Sequence, residues 1–143
     1  MSRSQSFNSF KDKLLSAFFL SETIEVALLM TNTTVVTEND GIDDDGDFTT
    51  LDEHDGASYA RVTLTGKTVT TEDASDRAVL GASSAVFTGI GAGTRQIRGV
   101  LLLWNDAGVK RPVSYHHYET AKQVDGSGNF TVTWPTTSIM YAY

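Results

Sequence analysis

The densest run of potential ligands in this chain is Gly41-Ile42-Asp43-Asp44-Asp45-Gly46-Asp47-Phe48-Thr49-Thr50-Leu51-Asp52. Aligned to a calcium loop, it has carboxylates at positions three, five and twelve, glycine at six and an apolar residue at eight. Such loops surround a hard cation with carboxylate oxygens once a glycine has turned the chain sharply. Asp43, Asp45, Asp47 and Asp52 would supply those oxygens here, and calcium would be the only cofactor. Against this, Gly41 stands where the first ligand belongs, Asp52 is shorter than the usual glutamate, and the flanks are strand-like. The residues favour the competing reading, a solvated acidic loop: the Gly-containing stretch 38–55 is expected to be exposed.

Other groupings carry less chemistry. Gly89-Ile90-Gly91-Ala92-Gly93 lacks both the dinucleotide spacing and a Lys-Ser/Thr pair. It leads into a strand, so no helix N-terminus stands behind it to hold phosphate, and a flexible inter-strand loop is expected. His116 and His117 are adjacent; neighbours on a strand face opposite ways, so they cannot chelate one metal together. Sheet-edge or interface histidines are the expectation. No serine occupies a G-x-S-x-G elbow, and Ser127 between Gly126 and Gly128 reads as a turn. Carboxylates crowded into one polar loop are poorly placed to form a raised-pKa general acid. The chain has no cysteine, which removes disulfides, thiolate zinc sites and a cysteine nucleophile together. The reading is a non-enzymatic protein.

A mainly β fold must position these groups. Phe7, Phe10, Leu14, Ala17 and Phe18 recur at offsets of three and four, which predicts an amphipathic helix over 7–19 with Ser6 as N-cap. The period then changes to two: Ile24, Val26, Leu28 and Met30 alternate with Glu25 and Thr31, a strand with one face buried. Ala60, Val62 and Leu64 oppose Arg61, Thr63 and Thr65, and Gly66-Lys67 reads as a two-residue hairpin turn into 68–71. Further strands are expected at 78–80 and 85–88. Gly99 to Trp104 is apolar without a break, a central strand covered on both faces. Asp106-Ala107-Gly108 turns the chain, Pro112 marks the start of a strand over 113–118, and strands follow at 130–134 and 139–143. Together these predict one domain over 1–143, a β-sandwich or jelly-roll-like fold with one short N-terminal α-helix.

The 143 residues carry 11 Lys and Arg against 18 Asp and Glu, a net charge of -7. With its cations scattered, such a chain is repelled by phosphate backbones, so nucleic acid is not an expected partner. No apolar run approaches the roughly 20 residues of a membrane-spanning helix, and no signal peptide is legible, so no membrane partner is expected. Large aromatics gather toward the termini: Phe7, Phe10, Phe18 and Phe19 at one end, Tyr141 and Tyr143 at the other. Aromatics are enriched where proteins meet partners, and filling the chain's own core is the competing use.

The order of segments resembles the decoration (cement) proteins of tailed-bacteriophage capsids, along nearly the whole chain. The matching features begin with Phe10-Lys11 and Leu14-Leu15, then Ile24-Glu25-Val26-Ala27-Leu28-Leu29. After the acidic loop come Gly56 to Tyr59, Val62-Thr63-Leu64, Lys67-Thr68-Val69-Thr70 and Asp76-Arg77-Ala78. The apolar strand to Trp104 with its Asp106 to Gly108 turn follows, and then Gly128-Asn129-Phe130-Thr131-Val132-Thr133-Trp134. The His116-His117 pair departs from the family pattern. The resemblance implies a sandwich that oligomerises, with a trimer favoured, and binds the major capsid protein on the outside of the virion after synthesis in the host cytoplasm. Phe7, Phe10, Phe18, Tyr141 and Tyr143 are then candidate oligomer or capsid contacts. The alternative is a phage tail or fibre component with a carbohydrate- or receptor-binding role, using Tyr115, Tyr118 or Tyr141 as a stacking platform.

Overall fold

The computed structural model describes residues 16–38, 41–75, 77–135 and 139–142. In chain order its strands are β1 (Ile24–Met30), β2 (Val62–Thr63), β3 (Thr68–Glu72), β4 (Arg77–Gly81), β5 (Ala85–Phe87), β6 (Ile97–Asp106), β7 (Val109–Lys122), β8 (Phe130–Val132) and β9 (Met140–Ala142). The protein is mainly β, and every strand pairing is antiparallel. Packing divides the chain into two compact units. One comprises Met1–Glu22, Thr65–Ser84 and Thr133–Tyr143; the other comprises Thr23–Leu64 and Ala85–Val132. Among the described residues, no helix is long and apolar enough to cross a membrane.

The second unit is built on a four-stranded sheet in the order β2-β1-β6-β7, with β5 and β8 as a separate pair. β1 runs in register with β6 from Ile24 opposite Trp104 to Leu29 opposite Gly99. The unbroken apolar run of β6 is buried on both faces, as its sequence requires. β1 differs from its expectation: Ala27 and Leu29 are as buried as Val26 and Leu28, so both faces of this strand are covered. The cover over Ala27 and Leu29 comes from Val35 and Phe48, with Ile42, Leu51 and Tyr115 packed against the same cluster. The acidic stretch supplies three of those five residues. It is a loop with two sides: its apolar residues bury against the sheet, while Asp43, Asp47, Thr49 and Asp55 stay exposed as its charge suggests.

β6 turns into β7 through Ala107 and Gly108, both at positive φ, with Asp106 opposite Val109. Pro112 lies inside β7 instead of starting it. An edge strand can accommodate proline, and the β6–β7 register breaks beside it, between Leu102 and Leu103. Gly66-Lys67 is not a hairpin turn: β2 pairs with β1, and β3 pairs with β4.

The first unit holds the sheet β3-β4-β9. A short 3-10 turn, Asp73–Ser75, joins β3 to β4, and Arg77 ion-pairs with Glu72 across that turn. Ala78, Val79 and Leu80 are buried, and the Trp134 indole N–H donates to the Ser83 carbonyl at 2.9 Å. The predicted helix over 7–19 lies largely outside the described residues. What is described is a five-residue π-helical turn, Ser16–Leu20, in which Phe19 is buried, Phe18 half-buried and Ala17 exposed. A π turn closes a wider ring than an α turn, so the apolar stripe drawn at α-helical spacing through Ala17 does not hold there. The Lys67 ammonium lies over the Phe19 ring and donates to the Glu22 carbonyl.

Tyr115 fixes one dense point of the second unit. A Cβ built on Gly99 would stand 2.5 Å from both the His116 carbonyl oxygen and the Tyr115 hydroxyl. The ring can move but the strand backbone cannot, so Gly99→Ala is expected to destabilise the protein by about 1–3 kcal/mol. Urea unfolding measures this; a variant within error of the parent would contradict the packing described.

Candidate functional site

The acidic excursion leaves the sheet after β1 and returns to it at Asp52. The Met30 amide donates to the Asp52 carbonyl at 2.7 Å, Thr34 to the Thr50 carbonyl at 2.9 Å, and His54 to the Leu28 carbonyl at 2.8 Å. Asp52 sits at φ 51, a left-handed conformation that aspartate tolerates better than most residues. Its carboxylate accepts the Asn32 amide at 2.7 Å and ion-pairs with Arg95.

Arg61 fastens the other end. Its guanidinium gives Nε and Nη2 to the two oxygens of Glu53, at 2.8 and 2.7 Å, and Nη2 also reaches Asp45 at 2.7 Å. Glu25 lies 3.8 Å from Nη1 and takes the Lys110 ammonium at 2.6 Å. Tyr59 completes the group: its hydroxyl donates to Glu53 at 2.8 Å and accepts the Leu28 amide at 3.0 Å. All five charged side chains are about a fifth to a quarter exposed, so water screens them only partly. The hydrogen bonds to Glu53 lead in holding the Arg61 pKa above its ordinary value, and burial, reinforced by Glu53, pushes the Tyr59 phenol up.

The remaining carboxylates cap the backbone. Asp47 accepts the amides of Asp43 at 2.8 Å and Asp44 at 3.1 Å, Asp44 accepts Gly46 at 2.7 Å, and Asp55 takes both the amide and the hydroxyl of Thr94. Glu38 accepts the Thr34 hydroxyl at 2.8 Å and the Thr49 amide at 2.9 Å. Asp43 contributes backbone groups, its carbonyl accepting from Arg111 at 3.3 Å.

The structure therefore does not gather Asp43, Asp45, Asp47 and Asp52 around one point. Asp45 faces Arg61, Asp47 faces backbone amides, and Asp52 faces Arg95. Among the described residues, no group of three or more His, Asp or Glu could hold a metal ion. Within the calcium-loop spacing, the carboxylates of Asp45, Asp47 and Asp52 each accept from a protein donor.

His116 and His117 face opposite ways, as expected of strand neighbours. His116 is 3.3 Å from the Ser114 hydroxyl, with burial lowering its pKa, whereas the exposed His117 ring stands 6.2 Å from Tyr115. Tyr115 and Tyr118 form no common platform. Tyr115 packs against the cluster under the acidic cover, and Tyr118 lies edge-on to Phe130 with Lys122 over its ring. Burial, with a contribution from Tyr115, pushes the Tyr118 phenol up to about 12. Phe18 is half-buried and the backbone of Tyr141 lies in β9, opposite Val79. Phe7, Phe10 and Tyr143 lie outside the described residues.

Two functional groupings escape the sequence patterns. One is the Arg61 cluster. Its signal is that no lysine or arginine stands between Lys13 and Arg61, so Arg61 is the first cation available to the acidic run. The other is His54, 3% exposed, whose Nε2 lies 2.9 Å from the Gly91 carbonyl. A carbonyl only accepts, so Nε2 carries the proton, and Nδ1 is buried without a hydrogen-bond partner among the described residues. The glycine-rich segment is thus a packed wall. Ile90 and Gly91 donate to the Gly128 and Ala57 carbonyls, and a Cβ on Gly93 would meet the His54 ring at 2.6 Å.

The capping bonds set a pH dependence. Glu38, Asp47 and Asp55 all have pKa values below the ordinary carboxylate range, chiefly through Thr49, the Asp43 amide and Thr94 respectively. A carboxylate with a depressed native pKa stabilises the fold at neutral pH, and that stability is lost as pH falls from the ordinary value through the depressed one. Urea midpoints are expected to drop through that acid window, and Asp47→Asn is expected to give a shallower drop. An unchanged acid limb would contradict the role assigned to Asp47.

Comparison with known proteins supplies no relative: no family model matches the chain, and no curated protein or solved structure does.

Proposed function

We propose that this chain is a structural virion protein that binds the outside of a tailed-phage capsid and cements its capsomers. The observation that carries this reading is the acidic cover, whose carboxylates are held by Arg61, Arg95 and backbone amides over the β1–β6 sheet. A surface fixed in this way meets a partner with little further ordering, which favours binding by fit. The order of sequence segments, which resembles that of capsid decoration proteins, supports the same reading.

In this proposal the second unit is the sandwich. Ile24, Val26, Leu28, Val100 and Leu102 are buried on the sheet face opposite Ala27 and Leu29, and the buried Ala85, Phe87, Phe130 and Val132 of the β5–β8 pair are the proposed facing layer. A ligand that binds only the assembled shell stabilises it by mass action, and copies repeated over a lattice add through multivalency. A cyclic trimer fits local threefold axes, because its repeating interface closes on itself.

Light scattering on a sizing column is expected to give about three times the 15.5 kDa chain mass. Sedimentation with mature phage heads lacking this protein is expected to show saturable binding. A strict monomer that stays in the supernatant contradicts the proposal.

A further inference from the structure

The acidic cover leaves a groove beside the edge of the sheet. It has a volume of 220 Å³ and mixed walls, with Val35, Ile42, Phe48 and Val113 supplying apolar surface and Glu38, Ser114 and Tyr115 polar groups. An apolar cavity of about 150 Å³ takes up benzene, so this groove has room for a leucine- or phenylalanine-sized side chain. The neighbouring turn leaves Val36 54% exposed, adding apolar surface.

Glu38 is the carboxylate of the cover that lines the groove, and like Asp47 it is held by uncharged donors. Asp45, Glu53 and Asp52 meet arginines, whereas the partners of Glu38 are the neutral Thr34 and Thr49 groups. These donors fix the carboxylate in place without neutralising it, and no cation lines the groove among the described residues. A carboxylate accepts at about four lone-pair sites, so capacity for a cationic donor remains. The other described groove, at Thr94 and Arg95, lacks this property because Asp55 and Asp52 already hold those two side chains.

The strand beside the groove narrows the occupant further. β7 is the last strand of its sheet, and it has two stretches in unbroken register with β6, Val109 to Pro112 beside the hairpin turn and Ser114 to His117 beside the groove. Register breaks bound the second stretch on both sides, between Leu102 and Leu103 and between Ile97 and Gly99 of β6. A short regular edge suits a few residues of extended chain and discourages the pairing of whole sheets.

We infer that this groove docks a short extended segment of a partner protein, one that places an apolar side chain between Phe48 and Val113 and an adjacent lysine or arginine on Glu38. The inference rests on the groove alone. If the protein cements capsids, the segment belongs to the shell; if it does not, the groove keeps its preference.

The test is an NMR titration of the full chain with an acetylated, amidated tetrapeptide, Gly-Leu-Lys-Thr, beside its counterpart with Glu in place of Lys. Millimolar binding is expected for the lysine peptide, with shifts centred on Val35, Phe48 and Ser114 and weakened by salt. The glutamate peptide is expected to leave those signals in place. Glu38→Gln should weaken the lysine peptide about threefold to tenfold while retaining the parent spectrum elsewhere. Val113→Lys, which puts a cation into the groove from an edge strand, should abolish binding. Absence of shifts at the groove, equal response to both peptides, or full binding by a folded Glu38→Gln protein would each overturn the inference.

Discussion

The second unit depends on the half-buried guanidinium of Arg61. It joins Asp45 and Glu53 of the acidic excursion to Glu25 of β1, so one side chain connects the cover to the sheet beneath it. The geometry with Glu53 is two-pronged, the form in which an arginine–carboxylate pair is strongest and most directional. Removing one member of a buried charge cluster leaves the others uncompensated, at a cost of about 3–5 kcal/mol when burial is complete and less when water reaches the site, as here. Burial of Val35 and Phe48 supplies the hydrophobic drive, and Arg61 fixes the placement.

That division of labour explains what was legible in the sequence. The strands could be read because their period is carried by burial: β6 is buried along its apolar run and β1 pairs with it residue for residue from Ile24 to Leu29. The Asp106 to Gly108 turn was equally local. The second face of β1 was hidden because the residues that cover Ala27 and Leu29 lie in a stretch whose composition reads as solvated. Phe48 holds position eight of the calcium-loop spacing, and in the fold it packs over Ala27 and Leu29 of the sheet. Gly66-Lys67 has turn chemistry, yet the strands on either side choose other partners, a decision that no local signal records. His54 and Gly91 are distant in sequence and meet only once the fold is formed.

The acidic residues likewise divide by partner. Those facing arginine hold the cover in position, those facing amides shape its turns, and Glu38 keeps its charge among neutral donors beside the groove. Asp45, Asp52 and Glu53 are neutralised within the fold, while Asp43, Asp47 and Asp55 stay exposed to water.

Native-state amide hydrogen exchange on the parent and on Arg61→Met tests the central claim most directly, through the amides of Met30, Thr34, Thr50 and His54 compared with those of Val100 to Leu102. The account predicts protection of both groups in the parent, and in the variant a shared loss of protection across the cover while the β6 amides stay protected. Cover amides that exchange freely in the parent, or that are indifferent to the loss of Arg61, would contradict it.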